Sequence, residues 1–254
     1  MEPGFPKSFL AASFPFILTY AILLTSAMTG TFPNIVIFYF SIFVSVIISA
    51  GIVGFERFFD ALGFDVTQPG ETLSKVWWRY PIYIGLGFIV GYFCYRILAR
   101  GLNLAIFPLD FALSLSLQTI PLYLSTINWL IVAIGEEIIR TYGMFSYGNW
   151  SEYRFKLHPQ TALTVGIIIS SIAFILLHTI AWGSAANIMN YIVGALISMI
   201  FTSIGFILYH KQIFGKLAFL EFSIIPGLVA HFVFDTMVDL EMRVLPPLMF
   251  LAFI

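Results

Sequence analysis

Residues 35–55 read IVIFYFSIFVSVIISAGIVGF, a largely apolar run without a single charged side chain. An α-helix needs about 20 such residues to cross the hydrocarbon core of a bilayer. The whole chain has the same character, since 60% of its 254 residues are apolar, 10% are charged and its mean hydropathy is +0.97. A conventional charged surface cannot be built from this composition. The sequence therefore predicts an all-α fold, a polytopic membrane helix bundle.

Several further apolar segments resemble this one, and turn-forming or polar residues separate them. Examples of such breaks are Gly148-Asn149 and His158-Pro159. The longest polar interval, Glu56 to Arg79, mixes charged and aromatic side chains and is predicted to rest on the lipid headgroups. We expect a single integral membrane domain over residues 1–254 with about eight transmembrane helices. These helices are predicted near residues 9–30, 35–55, 81–99, 103–124, 127–147, 161–182, 188–209 and 217–238.

The charge pattern limits the classes of partner. Twelve Lys and Arg residues nearly balance thirteen Asp and Glu residues, and no basic run is present. We therefore expect membrane lipid as a partner and no nucleic acid. Cys94 is the only cysteine, which excludes an internal disulfide and a cysteine-cluster metal site. The protein is expected in a membrane as a multi-pass integral protein, whether of the cell or of an organelle.

Ionisable residues inside apolar spans need a compensating reason, because a charge at the bilayer centre costs at least about 2.5–3.5 kcal/mol. Two of them, Asp110 and Glu221, lie near predicted span ends, and the sequence favours a structural or interfacial role for both. The other positions are more central. They are the Glu136-Glu137-Arg140 cluster, His178, and His231 with Asp235.

The segment Gly135-Glu136-Glu137-Ile138-Ile139-Arg140 places three charged groups in an otherwise apolar helix. Glu136 and Arg140 are four residues apart and share one helical face. One Arg can balance one of two adjacent carboxylates, so the second needs another partner or a proton. Such an arrangement is typical of a general base, and the alternative is a structural ion pair that fixes helix packing.

Two later spans contribute histidines. His178 ends the run Phe174-Ile175-Leu176-Leu177-His178, and His231 precedes Asp235 by four residues. Each feature alone is compatible with a hydrogen-bonded packing contact. Together, Glu136, His178 and His231 come from three spans, and their convergence would allow Glu136 and His178 to deprotonate water while His231 stabilises an oxyanion. A zinc site formed by the same three residues is a further alternative.

These three clusters, in this order, resemble the CPBP superfamily of intramembrane proteases, which includes the type II CAAX prenyl endopeptidases and bacteriocin-processing or immunity proteins. The resemblance covers roughly residues 130–238, the motif-bearing core. Phe174 to His178 and His231 to Asp235 match the second and third family motifs directly. The first motif has two residues between Glu137 and Arg140 where prenyl endopeptidases have three, a spacing similar to that of PrsW-type proteases.

The resemblance implies an eight-helix bundle and a glutamate-dependent intramembrane endopeptidase without an obligatory cofactor. Glu136 and His178 would activate water, Glu137 and Arg140 would position the base, and His231 with Asp235 would bind the oxyanion. The implied partner is a membrane-associated peptide or protein substrate, including prenylated CAAX-type peptides. Two other functions stay open: a non-catalytic scaffold or immunity protein with this fold, and a proton-coupled transporter, since buried Glu, His and Asp also form proton relays.

Overall fold

The structure is a computed structural model that describes residues 4–31, 34–65, 72–101, 120–182, 187–206 and 222–244. Every regular element in these ranges is helical, which confirms the all-α prediction for the described residues. The helices are α1 (Phe9–Met28), α2 (Ile35–Val53), α3 (Phe55–Ala61), α4 (Leu73–Val76), α5 (Arg79–Phe93, continued by a π-helical stretch at Cys94–Gly101), α6 (Leu122–Phe155), α7 (Pro159–Trp182), α8 (Ile188–Ile204) and α9 (Ile224–Val244).

The predicted number of membrane-crossing helices is not reached by the candidates among the described residues. Five stretches are long and apolar enough to cross a bilayer, and they lie in α1, α2, α5 with its π-helical extension, α6 and α7. The apolar helix α8 has 17 residues, and α9 has 21 but carries four charged side chains. The expected count of about eight is therefore not confirmed. The predicted span 103–124 lies mostly outside the described residues, as do Asp110 and Glu221.

The predicted break at Gly148-Asn149 is wrong, because α6 continues for 34 residues to Phe155. Tertiary contacts bind Asn149 of the predicted break and the nearby Ser151. The Asn149 Nδ2 donates to the Phe5 carbonyl at 3.1 Å, and the Ser151 hydroxyl lies 3.3 Å from the Ala162 carbonyl oxygen. The helix ends at Lys156, whose φ of 55° is left-handed and prevents a further helical turn.

Part of the segment Glu56 to Arg79, which was predicted to rest on the lipid headgroups, is buried in the core of the bundle. Phe58 and Leu62 have no exposed surface, whereas Phe59 and Trp77 are 46% and 62% exposed. Aromatic residues in a polar interval are compatible with either the headgroup layer or the core. In α3, Phe58 is buried and Phe59 is exposed because successive residues of a helix point in different directions. This helix thus packs one face on the bundle and leaves the other open.

Helix α6 is the central element of the bundle and contacts α1, α2, α7 and α9. Its neighbour α9 packs closely on α5, where Gly87 and Gly91 face it. A Cβ atom at Gly91 would lie 2.3 Å from the Ala230 carbonyl oxygen. Small residues four apart allow two helix backbones to approach in this way. The contact fixes the position of α9, the helix that bears His231 and Asp235.

The outward faces of the helices are apolar. Large side chains that are about half exposed recur on α1, α2, α5, α6 and α8, among them Ile17, Phe43, Phe88, Ile131 and Leu196. Patches of this extent are rare on water-soluble proteins and are typical of surfaces covered by lipid or by a partner.

Candidate functional site

The middle of α6 holds the cluster of charged residues predicted from sequence. From Gly135 to Asn149 every residue of this helix is buried, so its polar side chains cannot reach the surface on any face. Glu136, Glu137 and Arg140 are only 6%, 2% and 1% exposed. Buried ionised groups are stable only when they are paired or hydrogen-bonded, and the contacts around these three meet that condition.

Arg140 binds Glu137 and helix α8. Its Nη2 forms an ion pair with Glu137 Oε1, one helical turn earlier. Its Nη1 donates to the Ser198 hydroxyl at 2.8 Å and to the Ser198 carbonyl at 3.2 Å. The guanidinium also lies over the rings of Phe174 and Phe201, 5.1 and 5.8 Å from their centres, where cation–π attraction adds to the pairing. Arg140 therefore holds α6, α7 and α8 together at this level.

His231 of α9 lies against both glutamates. Its Nδ1 is 2.9 Å from Glu137 Oε1, and its Nε2 is 3.4 Å from Glu136 Oε2. The same Nε2 is 3.3 Å from Asp235 Oδ2. Glu137 is ion-paired with Arg140, and an ionised carboxylate only accepts hydrogen bonds, so Nδ1 is the donor to Glu137. The contacts of Nε2 are longer than a typical N–H···O bond of 2.7–3.2 Å, so this nitrogen is the more weakly held one.

A glycine on α9 permits this close approach. A Cβ atom at Gly227 would lie 2.6 Å from the Phe201 carbonyl oxygen and 3.4 Å from Glu137 Oε2. Any larger residue would push α9 away from α8 and α6. Gly227 is one turn before His231, and we infer that it sets the depth at which the imidazole meets the glutamates.

His178 of α7 reaches the cluster through an aromatic ring. Its Nδ1 donates to the Phe174 carbonyl, 3.2 Å away, which makes Nε2 the acceptor when the ring is neutral. The His178 ring is 4.8 Å from that of Phe174, which in turn lies 6.5 Å from the ring of His231. His178 is half-buried, unlike the other members.

Carboxylates outnumber permanent cations in this cluster of described residues. Glu136, Glu137 and Asp235 are three carboxylates, and Arg140 is the one permanent cation beside them in the described residues. A protonated His231 brings the sum to minus one. Carboxylates placed this close together favour a shared proton, and Glu137 is the glutamate that forms the ion pair with Arg140.

No family model, curated protein or solved structure matches this chain. The assignment of function therefore depends on the geometry of this cluster.

Five of the six residues singled out from sequence make direct contacts with one another: Glu136, Glu137, Arg140, His231 and Asp235. The sixth, His178, is separated from His231 by the ring of Phe174. Ser198, the α8 partner of Arg140, was not predicted from the sequence. Its signal was weak, because Ser198 is one of several small polar residues in an apolar helix.

The sequence left open a zinc site formed by Glu136, His178 and His231. Within the ranges that the structure describes, no three His, Cys, Asp or Glu side chains form a group that could hold a metal ion.

Proposed function

We propose that the chain is a multi-pass integral membrane protein and a glutamate-dependent intramembrane endopeptidase of the kind it resembles, the CPBP superfamily. The observation that carries the proposal is the contact of His231 with Glu136 and Glu137. These residues are more than 90 positions apart in the sequence and meet inside the bundle, at 2.9 Å for Glu137 and 3.4 Å for Glu136. A packing role alone requires one such pair, whereas hydrolysis requires a base and a donor together.

The roles follow from the contacts of each group. Glu136 takes a proton from water, and the resulting hydroxide attacks the carbonyl carbon of the scissile peptide bond. The proton then passes from Glu136 to the departing amine as the C–N bond breaks, so that one water is consumed. Glu137, fixed by Arg140, orients His231 through Nδ1.

The oxyanion formed in this step needs a donor. When His231 is protonated on both ring nitrogens, its Nε2 can donate to the oxyanion, because its contacts with Glu136 and Asp235 are long and catalytic hydrogen bonds often tighten only when substrate is bound. His178 is half-buried and lies on the far side of the Phe174 ring from His231, and its proposed role is to assist Glu136 in holding the water. A membrane-associated peptide, including a prenylated CAAX-type peptide, is the proposed substrate class.

The experiment compares the wild type with Glu136→Gln and His178→Ala in proteoliposomes. Each protein is incubated with a peptide library that includes prenylated CAAX peptides, and products are identified by mass spectrometry. Glu136→Gln keeps the size of the side chain but removes the base, and a loss of about 10²- to 10⁴-fold in rate is expected. Glu152→Gln, near the end of the same helix, is the matched control and retains activity. Parallel reactions contain a metal chelator.

Cleavage by the wild type and by Glu152→Gln, with none by the folded Glu136→Gln protein and no effect of chelator, supports the proposal. Cleavage that survives Glu136→Gln refutes the mechanism. Loss of activity with chelator would instead favour the zinc alternative.

A non-catalytic scaffold is the second candidate, and one observation favours it. Arg140, Glu137 and His231 bind one another closely enough to serve as a helix clamp with no further role. If the clamp is the whole function, Glu136→Gln lowers neither stability nor binding of a partner, and no peptide in the library is cut by the wild type.

A further inference from the structure

A second set of polar groups lies between α2, α6 and α9, away from the Glu136–His231 contact. Five buried polar atoms there make no hydrogen bond to any of the described residues: Tyr39 Oη, Asn128 Nδ2, Trp129 Nε1, Thr236 Oγ1 and Asp239 Oδ1. Trp129 packs with Val132, Tyr39 and Phe232 in a small cluster separate from the main core. This cluster brings residues of α2, α6 and α9 together, and α6 and α9 carry four of the five atoms.

Four of the five ionisable residues of α9, all except Glu241, form a row that passes this place. His231, Asp235, Asp239 and Arg243 are each four residues apart and hence lie on one face, about 18 Å long. Asp239 has no exposed surface, while the Arg243 side chain is 18% exposed. The row thus runs from the buried glutamate cluster to the edge of the bundle.

Helix α6 lies antiparallel along the same row. Ser125 donates to Asp239 Oδ2 at 2.6 Å at one end, and Glu137 contacts His231 at the other. Arg243 closes the outer end, with its Nε 3.1 Å from Asp239 Oδ2 and its Nη1 3.1 Å from the Ile120 carbonyl oxygen. We call this strip between α6 and α9, from Arg243 to His231, the polar seam.

A dry seam would be costly. Each buried donor or acceptor without a partner loses about 1–3 kcal/mol. The unpaired atoms include N–H donors on Asn128 and Trp129, a carboxylate acceptor on Asp239, and two hydroxyls that can act in either way. An anion would satisfy only the donors, and a cation only the acceptors. Water satisfies both, and a buried polar site with several partners is where ordered water is found.

We propose that the polar seam holds a chain of water molecules between Arg243 and the Glu136–His231 cluster, and that the water consumed in hydrolysis arrives along it. Side chains one helical turn apart have Cβ atoms about 5–6 Å from each other, a gap that water can bridge. At the level of Val132, where α6 is apolar, Asp235 of α9 supplies the polar wall. The second half of this inference rests on the proposed peptidase activity, whereas hydration of the seam does not.

Hydration is tested by thiol accessibility in proteoliposomes. Cys94, the only cysteine, is first replaced by alanine. Asn128→Cys and Ile127→Cys are then compared, since these neighbours lie at the same depth but Ile127 is 52% exposed on the outward, apolar face and Asn128 is 8% exposed. A small charged methanethiosulfonate reacts only with a hydrated thiolate, so modification at 128 is expected to be at least about tenfold faster than at 127. Equal or slower modification at 128 overturns the inference.

A measurement on the unaltered protein covers the case in which Asn128→Cys does not fold. In radiolytic hydroxyl-radical footprinting, buried side chains are oxidised where water is held beside them. Trp129 and Tyr147 are equally buried at 2% exposure, but the Tyr147 hydroxyl is bonded to Ser13 at 3.0 Å. After correction for intrinsic reactivity, Trp129 should be oxidised more than Tyr147. Equal protection of both rings contradicts a hydrated seam.

Water delivery is tested separately by peptide cleavage. Asn128→Leu removes a polar wall of the seam without touching the glutamate cluster and should lower kcat by about tenfold with KM unchanged. Ile127→Leu is the control. If the seam is hydrated but Asn128→Leu has an unchanged kcat, the proposed delivery of water along the seam is overturned and the hydration of the seam is not. Absence of cleavage by the wild type, with rapid modification at 128, refutes the proposed function and leaves the hydrated seam in place.

Discussion

Replacement of Arg140 by methionine is the sharpest test of how the cluster is held together. Arg140 is 1% exposed and makes an ion pair with Glu137, two hydrogen bonds to Ser198 and two ring contacts. Methionine fills much of the same volume, so the main loss is electrostatic rather than steric. Glu137, at 2% exposure, would be left without its cation.

The magnitude follows from the burial of both partners. Removal of one member of a buried ion pair costs about 3–5 kcal/mol, because the other charge stays buried and uncompensated. At about 1.4 kcal/mol per tenfold change, the equilibrium constant for unfolding rises roughly 10²- to 10⁴-fold. The double variant Arg140→Met/Glu137→Gln removes the stranded charge as well and should regain at least about 1–2 kcal/mol of this loss.

The assay is reversible unfolding in mixed micelles by titration with a denaturing detergent, followed by intrinsic tryptophan fluorescence. Arg154→Met, at the exposed end of the same helix, serves as the control and should change the unfolding free energy by less than about 0.5 kcal/mol. The reasoning is refuted if Arg140→Met costs no more than Arg154→Met, or if the double variant is less stable than Arg140→Met alone.

Two further predictions concern helix packing. Gly91→Val should strongly lower the melting temperature in detergent, because its side chain would collide with the Ala230 carbonyl of α9. Gly85→Val is the control and should have little effect, since a Cβ atom there meets nothing within 4 Å. Similar melting temperatures for both variants would contradict the close α5–α9 contact. Ser198→Ala removes the hydroxyl that accepts a hydrogen bond from Arg140 at 2.8 Å. It should lower the free energy of unfolding by about 1.5–3 kcal/mol in the same titration with denaturing detergent. An unchanged unfolding midpoint would show that the Ser198 carbonyl alone satisfies Arg140.

Much of the candidate site was predictable because charges in apolar spans are so costly that each must have a partner. Two glutamates and one arginine on adjacent turns require at least one group from elsewhere, and the α9 histidine supplies it. The sequence could not reveal that both glutamates would converge on His231. Nor could it show that His178 would face its own Phe174 carbonyl, because this depends on the rotation of α7.

The extent of α6 was not predictable from local sequence. Gly148 and Asn149 are typical of a turn when only their neighbours along the chain are considered. In the bundle, however, Asn149 binds the Phe5 carbonyl, and Gly166 of α7 approaches the backbone at Met144 and Gly148. Contacts between residues far apart in sequence overrode the local preference. The same holds for Phe58, whose burial depends on packing with Phe5 and Tyr142.

The length of α6 makes the depth of the cluster a property of the membrane as well as of the protein. Its 34 residues extend about 51 Å, whereas the hydrocarbon core is about 30 Å thick. Such a helix tilts or projects, and the mismatch shifts with acyl-chain length. Glu137 is about 22 Å from Leu122 and about 27 Å from Phe155, so it lies near the pivot of that tilt. For α6 spanning a bilayer as proposed, a change in bilayer thickness alters the environment of the helix ends most and that of the glutamates least.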